Sequence, residues 1–209
     1  CGVRRDTTTN GEGRMELCKL EVTPDGVYET TRDRIEVDPH TPLEKNWMPI
    51  LDMPFHFVRW CDPLQVMRVN PKEKSKQTVK KGIIDVITSD VVVKKDNQLN
   101  LPFGLRGSSQ VLPFGNNGDR ICVTHETDFY YHQNTKKDCQ YYHRFVIWDK
   151  DWNVKKVSKQ FKFMDAMIEF ACGMIIKDDY LIISFGFQDN AAHLLKMPLN
   201  ILDKLEWES

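Results

Sequence analysis

The sequence lacks any long apolar run. No stretch of its 209 residues approaches the ~20 that a membrane-spanning helix needs, which excludes a helical anchor of that kind. It also lacks a charge excess. Lys and Arg number 29 against 30 Asp and Glu, for a net charge of −1, so nothing global draws the chain to nucleic acid or to an anionic membrane. A disulfide framework is missing too. Six cysteines are present, but their spacings are wide and the chain is not small, so they read as reduced thiols in or near strands. Helical periodicity is scarce. Only Leu199, Leu202 and Leu205 suggest a short helix, over 199–207. No signal peptide is visible, and a cytoplasmic location is expected. The first residue is Cys, and Cys1-Gly2-Val3 reads as the middle of a strand, so the chain is expected to be an N-terminally incomplete fragment.

What is present is strand. Hydrophobic residues make up 41%, enough for one core, and a single domain over 1–209 is expected. Aromatics make up 11%, and they suit both strands and sugar-binding surfaces. One layout occurs three times: a polar cluster, an apolar strand, a tight turn and a second strand ending in polar residues. The copies start at Glu44, Arg106 and Glu169, 62 and 63 residues apart. A fixed period with strand-rich content predicts an all-β fold, part of a five-bladed β-propeller with antiparallel blades. Five such repeats need roughly 300 residues, so an upstream segment or another chain is expected to close the ring.

Several segments carry strand and turn chemistry. Met15–Val22 reads as a strand, followed by a Thr23-Pro24-Asp25-Gly26 turn. Phe55–Trp60 and Val66–Val69 follow as strands, and Ile83–Lys95 is rich in β-branched residues. The stretch 71–81, with five lysines, reads as a solvated loop between blades, and 128–137 as an insert.

In a propeller the inner strand of each blade lines a common channel, so polar residues at blade starts converge there. Lys45, Asn46, Arg106 and Glu169 belong to this set. A second set lies where second strands end, and includes His125, Glu126 and Asp189. Carboxylates mixed with ammonium, guanidinium and imidazole suit a hydroxyl-rich ligand with an anion alongside. Paired carboxylates are also what glycosidic cleavage requires. In Tyr141-Tyr142-His143-Arg144 one alternate pair should face outward or toward a site, and Tyr142 and His143 are taken as ligand-binding candidates. Cys122, His125, Cys139 and His143 mimic a zinc spacing. However, Cys122 and His125 fall on opposite strand faces, and no metal is expected.

These residues also carry a family resemblance. Glu44-Lys45-Asn46-Trp47-x-Pro49, Arg106-Gly107-x-x-Gln110, His125 and Tyr142-x-x-Phe145 are part of it. Ile168-Glu169-Phe170-x-Cys172-Gly173 and Ile183-Ser184-Phe185-Gly186-x-x-Asp189 complete it. Together they resemble the five-bladed propellers of the β-mannoside phosphorylase and hydrolase family, glycoside hydrolase family 130, and its relatives found beside glycosyltransferases.

The resemblance implies a carbohydrate-active protein, a glycosidase or glycoside phosphorylase acting on mannoside-like glycans, or a non-catalytic glycan-binding propeller associated with a glycosyltransferase domain. It places Lys45, Arg106 and His125 on phosphate and Asp189 on sugar hydroxyls. Glu126, Glu169 and Asp189 are the candidate catalytic carboxylates. No cofactor is implied beyond inorganic phosphate as a co-substrate. Two departures bear on this. The family's acid-bearing Glu-Asp-Pro-Arg motif is absent from the sequence and is expected upstream of Cys1. Where a phosphorylase carries His-Gly this chain has His125-Glu126, and the added carboxylate repels phosphate, favouring hydrolysis or plain binding.

Overall fold

The β-branched and aromatic runs become fifteen strands in a computed structural model that describes residues 2–4, 12–79, 82–99, 101, 104–131 and 137–208. They are β1 (Gly2–Arg4), β2 (Arg14–Thr23), β3 (Gly26–Ile35), β4 (Met48–Pro49), β5 (His56–Cys61), β6 (Leu64–Val79), β7 (Gly82–Lys95) and β8 (Arg106–Gly107). Then come β9 (Leu112–Phe114), β10 (Asp119–Tyr131), β11 (Lys137–Trp148), β12 (Val154–Val157), β13 (Glu169–Lys177), β14 (Tyr180–Phe187) and β15 (Ala191–Pro198). Strands account for 66% and helix for 3%, so the chain is all-β as expected.

Three antiparallel meanders follow one another, each opening on an inner strand. They are β4-β5-β6-β7, β8 and β9 with β10-β11-β12, and β13-β14-β15. The first belongs to a curled seven-stranded sheet, because β3 pairs in parallel with β7 at Arg34–Val86 and Ile35–Ile87. Inner strands lie side by side. Ile50 and Val111 form a parallel bridge, Val111 N–H donates to the Pro49 carbonyl at 2.9 Å, and Met174 N–H donates to Gln110 Oε1 at 2.8 Å.

The core lies between sheets. Val58, Leu64 and Val66 of the first meander meet Cys122, Val146 and Trp148 of the second. Ile121, Val123, Phe145 and Ile147 on the other face of the second meet Ala171, Leu181 and Ile183 of the third. Phe57, Met67 and Val69 point the opposite way, toward Met15, Ile35 and Trp47. The middle sheet is thus covered on both faces. Its strands therefore read as unbroken apolar runs, Ile121-Cys122-Val123 and Phe145-Val146-Ile147-Trp148, and not as alternation.

Three local expectations are corrected. Residues 71–79 are not a loop. After a register shift between Asn70 and Lys74 the segment pairs with β7 from Lys74–Ile87 to Val79–Gly82. Pro71 falls within that irregularity, where no ladder N–H is required, and the lysines stand on an exposed ribbon. Lys80 and Lys81 lie outside the described residues. Residues 128–131 and 137 extend the β10–β11 hairpin, with Asp128 opposite Gln140, while 132–136 lie outside the description. The terminal helix is a 3-10 turn, Leu199–Lys204, which buries Leu202. Beyond it the chain returns to the second meander, where Trp207 bridges Ser158.

Gly107 marks the tightest approach between the first two meanders. A Cβ there would sit 2.2 Å from the Asn46 carbonyl oxygen and 2.6 Å from Met48 Cγ. Gly107→Ala should therefore destabilise the protein by about 2 kcal/mol or more in urea unfolding. Gly104→Ala, where a Cβ meets nothing within 4 Å, should change stability little.

Candidate functional site

The polar ends of the meanders gather at the starts of the inner strands. Arg106 on β8 pairs across the ladder with His125 on β10, which places a guanidinium-bearing residue beside the imidazole strand. The His125 ring is 2% exposed. Its Nδ1 lies 3.0 Å from Ser108 Oγ, and its face stacks on Tyr141 at 5.6 Å and 19°. Phe170 at the start of β13 packs edge-on against it at 4.9 Å. Burial, then His143, Arg106 and Lys45, push the His125 pKa down to about 3, so the ring is neutral at pH 7. Lys45 and Arg106 therefore bear on one imidazole, although 61 residues separate them in sequence.

Tyr141 extends this cluster. It lies directly opposite Thr127 across the β10–β11 ladder. Burial, then Cys139 and Asp189, raise its pKa, with Arg106 opposing. Asp189 is exposed in the β14–β15 turn, with φ 52°, and its carboxylate bears on this phenol. The structure thus places Ser108, Tyr141 and Phe170 on the His125 ring and Arg106 beside it on the ladder, while Lys45 acts on His125 and Asp189 on Tyr141 through charge alone. Asn46 adjoins Lys45 and turns the chain with φ 61°, a conformation that asparagine tolerates. A small cleft of about 10 Å³, room for ~1 water, lies among Leu43, Lys45, Arg59, Trp60, Arg106 and Gly107.

The other expected residues are placed differently. Glu126 is fully buried. Arg144 Nε and Gln160 Nε2 donate to its carboxylate, the latter at 2.5 Å. Arg144 also donates to the Ser158 carbonyl at 2.7 Å and to Glu208. Glu169 is fully buried as well, and its two oxygens accept the N–H groups of Phe163, Met164 and Ala166 at 2.6, 2.9 and 2.8 Å. Both carboxylates are thus satisfied within the framework, and neither faces solvent. Glu44, another blade-start carboxylate, accepts from Thr41, Trp47 and Arg59, with its Arg59 ion pair at 2.6 Å. Burial raises the Glu44 pKa, but the Arg59 and Thr41 hydrogen bonds outweigh it and leave it lowered.

Of the other two expected residues, His143 lies opposite His125 across the ladder on the same sheet face, whereas Tyr142 does not share that face. His143 is fully buried, packs on Phe161 and Phe163, and accepts the Ala171 N–H on Nε2 at 3.2 Å. Tyr142 points to the opposite sheet face, where Lys162 lies over its ring at 5.4 Å. Tyr141 takes the place expected of them. Strand parity was the available signal: 141 and 143 share the face of His125, whereas 142 and 144 share that of Glu126. Among the described residues no group of three or more His, Cys, Asp or Glu side chains could hold a metal ion. Among the described residues no helix is long and apolar enough to cross a membrane.

Two buried neutral histidines make stability depend on pH. Burial pushes His143, like His125, down to about 3 from an ordinary value of 6.5. The unfolded chain then binds more protons between these limits. The stabilisation is complete above about pH 6.5 and is lost as pH falls toward 3. The slope should approach about 1.4 kcal/mol per pH unit for each ring. Denaturant unfolding between pH 6.5 and 4.5 checks this above the range where Glu44 contributes, since its lowered pKa affects stability only below about 4.5. His143→Phe should remove about half of the slope.

No family model matches the sequence, and no curated protein matches it. Among solved structures, a mannose phosphorylase from Leishmania mexicana, determined in complex with phosphate ion, aligns over 99% of this chain and 87% of its own. The identity is 10% and the TM-score 0.40, a likeness too loose to carry residues or activity across.

Proposed function

We propose that this chain binds a glycan at the inner-strand starts, with Lys45 and Arg106 holding an anion, phosphate being the simplest, and Asp189 engaging sugar hydroxyls. The ladder pair of exposed Arg106 with buried His125, whose ring meets Ser108 and stacks on Tyr141, carries this reading, and the charge effects of Lys45 on His125 and of Asp189 on Tyr141 support it. A mixed cation and carboxylate rim with a serine hydroxyl suits a ligand that is both hydroxylated and anionic. The motif resemblance supplies the ligand class, mannoside-like glycans.

Binding without turnover is favoured by the state of the carboxylates. Glycoside cleavage needs an acid and a second carboxylate at the scissile bond. Of Glu126, Glu169 and Asp189, only Asp189 is exposed. Glu126→Gln and Glu169→Gln should lower stability by about 2–4 kcal/mol, since each leaves buried donors mismatched. Neither should change ligand affinity in the fraction that folds. Asp189→Asn should do the reverse, weakening binding of manno-oligosaccharides with unfolding unchanged. Thermal unfolding and calorimetry on the same samples separate the two.

The reading itself is tested by calorimetric titration with inorganic phosphate and with mannobiose. Phosphate should bind, and Lys45→Ala and Arg106→Ala should each weaken it about tenfold or more, with the salt dependence of an ionic contact. Release of mannose from mannobiose, with or without phosphate, would replace the binding reading by the hydrolase or phosphorylase one. Absence of both phosphate and sugar binding would sink the site.

A further inference from the structure

Beside the cationic rim lies an aromatic wall that the anion and hydroxyl contacts do not use. Tyr141 and Phe170 are half-buried, with ring centroids 6.4 Å apart and planes at 76°. Neither belongs to the apolar clusters between the sheets. Tyr141 stacks on His125 and keeps part of its surface exposed. His125, itself held at Ser108, and Phe170, packed edge-on, fix the ring plane. The ring is therefore pre-oriented, and a ligand stacking on it loses little side-chain freedom of the protein.

Resting on the glycan reading above, we propose that Tyr141 is the stacking platform for the apolar C–H face of a pyranose ring, with Phe170, its plane at 76° to that of Tyr141, as the wall that holds the platform and flanks the sugar. A pyranose presents one such face and a rim of hydroxyls. Asp189, which bears on the Tyr141 phenol, supplies acceptors at the rim of the platform. Lys45 and Arg106 act on the His125 side of the ring, where the glycan reading places the anion. The aromatic pair thus selects ring-form sugar over small anions, whereas the cations alone do not.

The test is NMR titration with methyl β-mannopyranoside and, separately, with inorganic phosphate. In the wild-type protein the sugar ring protons should shift upfield, the signature of an aromatic face beneath them. Tyr141→Leu should abolish that shift and weaken sugar binding about tenfold. Tyr141→Phe should retain both, and phosphate binding should be the same in all three proteins. Phe170→Leu carries the same expectation in case Tyr141→Leu folds poorly, which thermal unfolding reports. Sugar binding without the upfield shift, or unaltered in both leucine variants, overturns the platform and leaves the glycan reading standing. No sugar binding by the wild-type protein overturns both, and phosphate binding alone then restricts the site to anions.

Discussion

Two-sided burial of the middle sheet is the constraint from which the rest follows. β10 and β11 carry apolar side chains on both faces, so they are stable only with a sheet packed on each side. The first meander supplies one cover and the third the other. Once both are in place, the short inner strands have nowhere to lie except beside one another, as the Ile50–Val111 bridge and the Gln110–Met174 bond record. The same strands that are apolar at 121–123 and 145–148 become polar at 124–126 and 141–144. Packing the apolar parts therefore carries Thr124, His125 and Glu126 into the junction between sheets whether or not they are used there.

Polar groups taken into such a junction have to be satisfied, and the manner of satisfaction separates the carboxylates. Glu44, Glu126 and Glu169 each meet several donors, from Arg59, from Arg144 and Gln160, and from three backbone N–H groups. Loss of one partner from such a pair is expensive, because the other charge stays buried. Asp189 sits instead in an exposed turn, where its charge costs little and remains accessible. The division between framework and rim is thus one of burial, and two residues of identical chemistry on neighbouring sheets fall on opposite sides of it.

Much of this was legible in the sequence. The 62-residue layout located the three meanders, and the turn at Thr23–Gly26 and the strands of the third meander fall where their residues place them. Lys72, Lys74 and Lys76 were misread because charge indicates exposure, and an exposed ribbon is as compatible with charge as a loop is. The roles of Glu126 and Glu169 could not be read locally. The Gln160 partner comes from beyond the hairpin, and the backbone donors at 163–166 exist only once that loop has closed. Tyr142 and His143 were favoured on side-chain chemistry, and adjacent residues on a strand cannot both face one site. Which of them faces His125 depends on the β10–β11 register, and that is fixed by apolar packing at the far end of the hairpin.

The neutral state of His125 links the framework to the rim. Its burial is a consequence of the sheet packing, and it costs the ring its charge even before Lys45 and Arg106 are considered. A charged imidazole there would add a third cation to a crowded junction with no carboxylate of its own, since Glu126 faces the other way toward Arg144. A neutral one can engage Ser108 and offer its ring face to Tyr141. On the proposed reading the cationic character of the site rests on half-buried Lys45 and exposed Arg106, while His125 beneath them stays neutral and packed. The same burial that removes a titratable base from neutral pH thereby builds a rigid aromatic and imidazole floor under two cations. On the proposed reading, that arrangement suits holding a ligand better than transferring its protons.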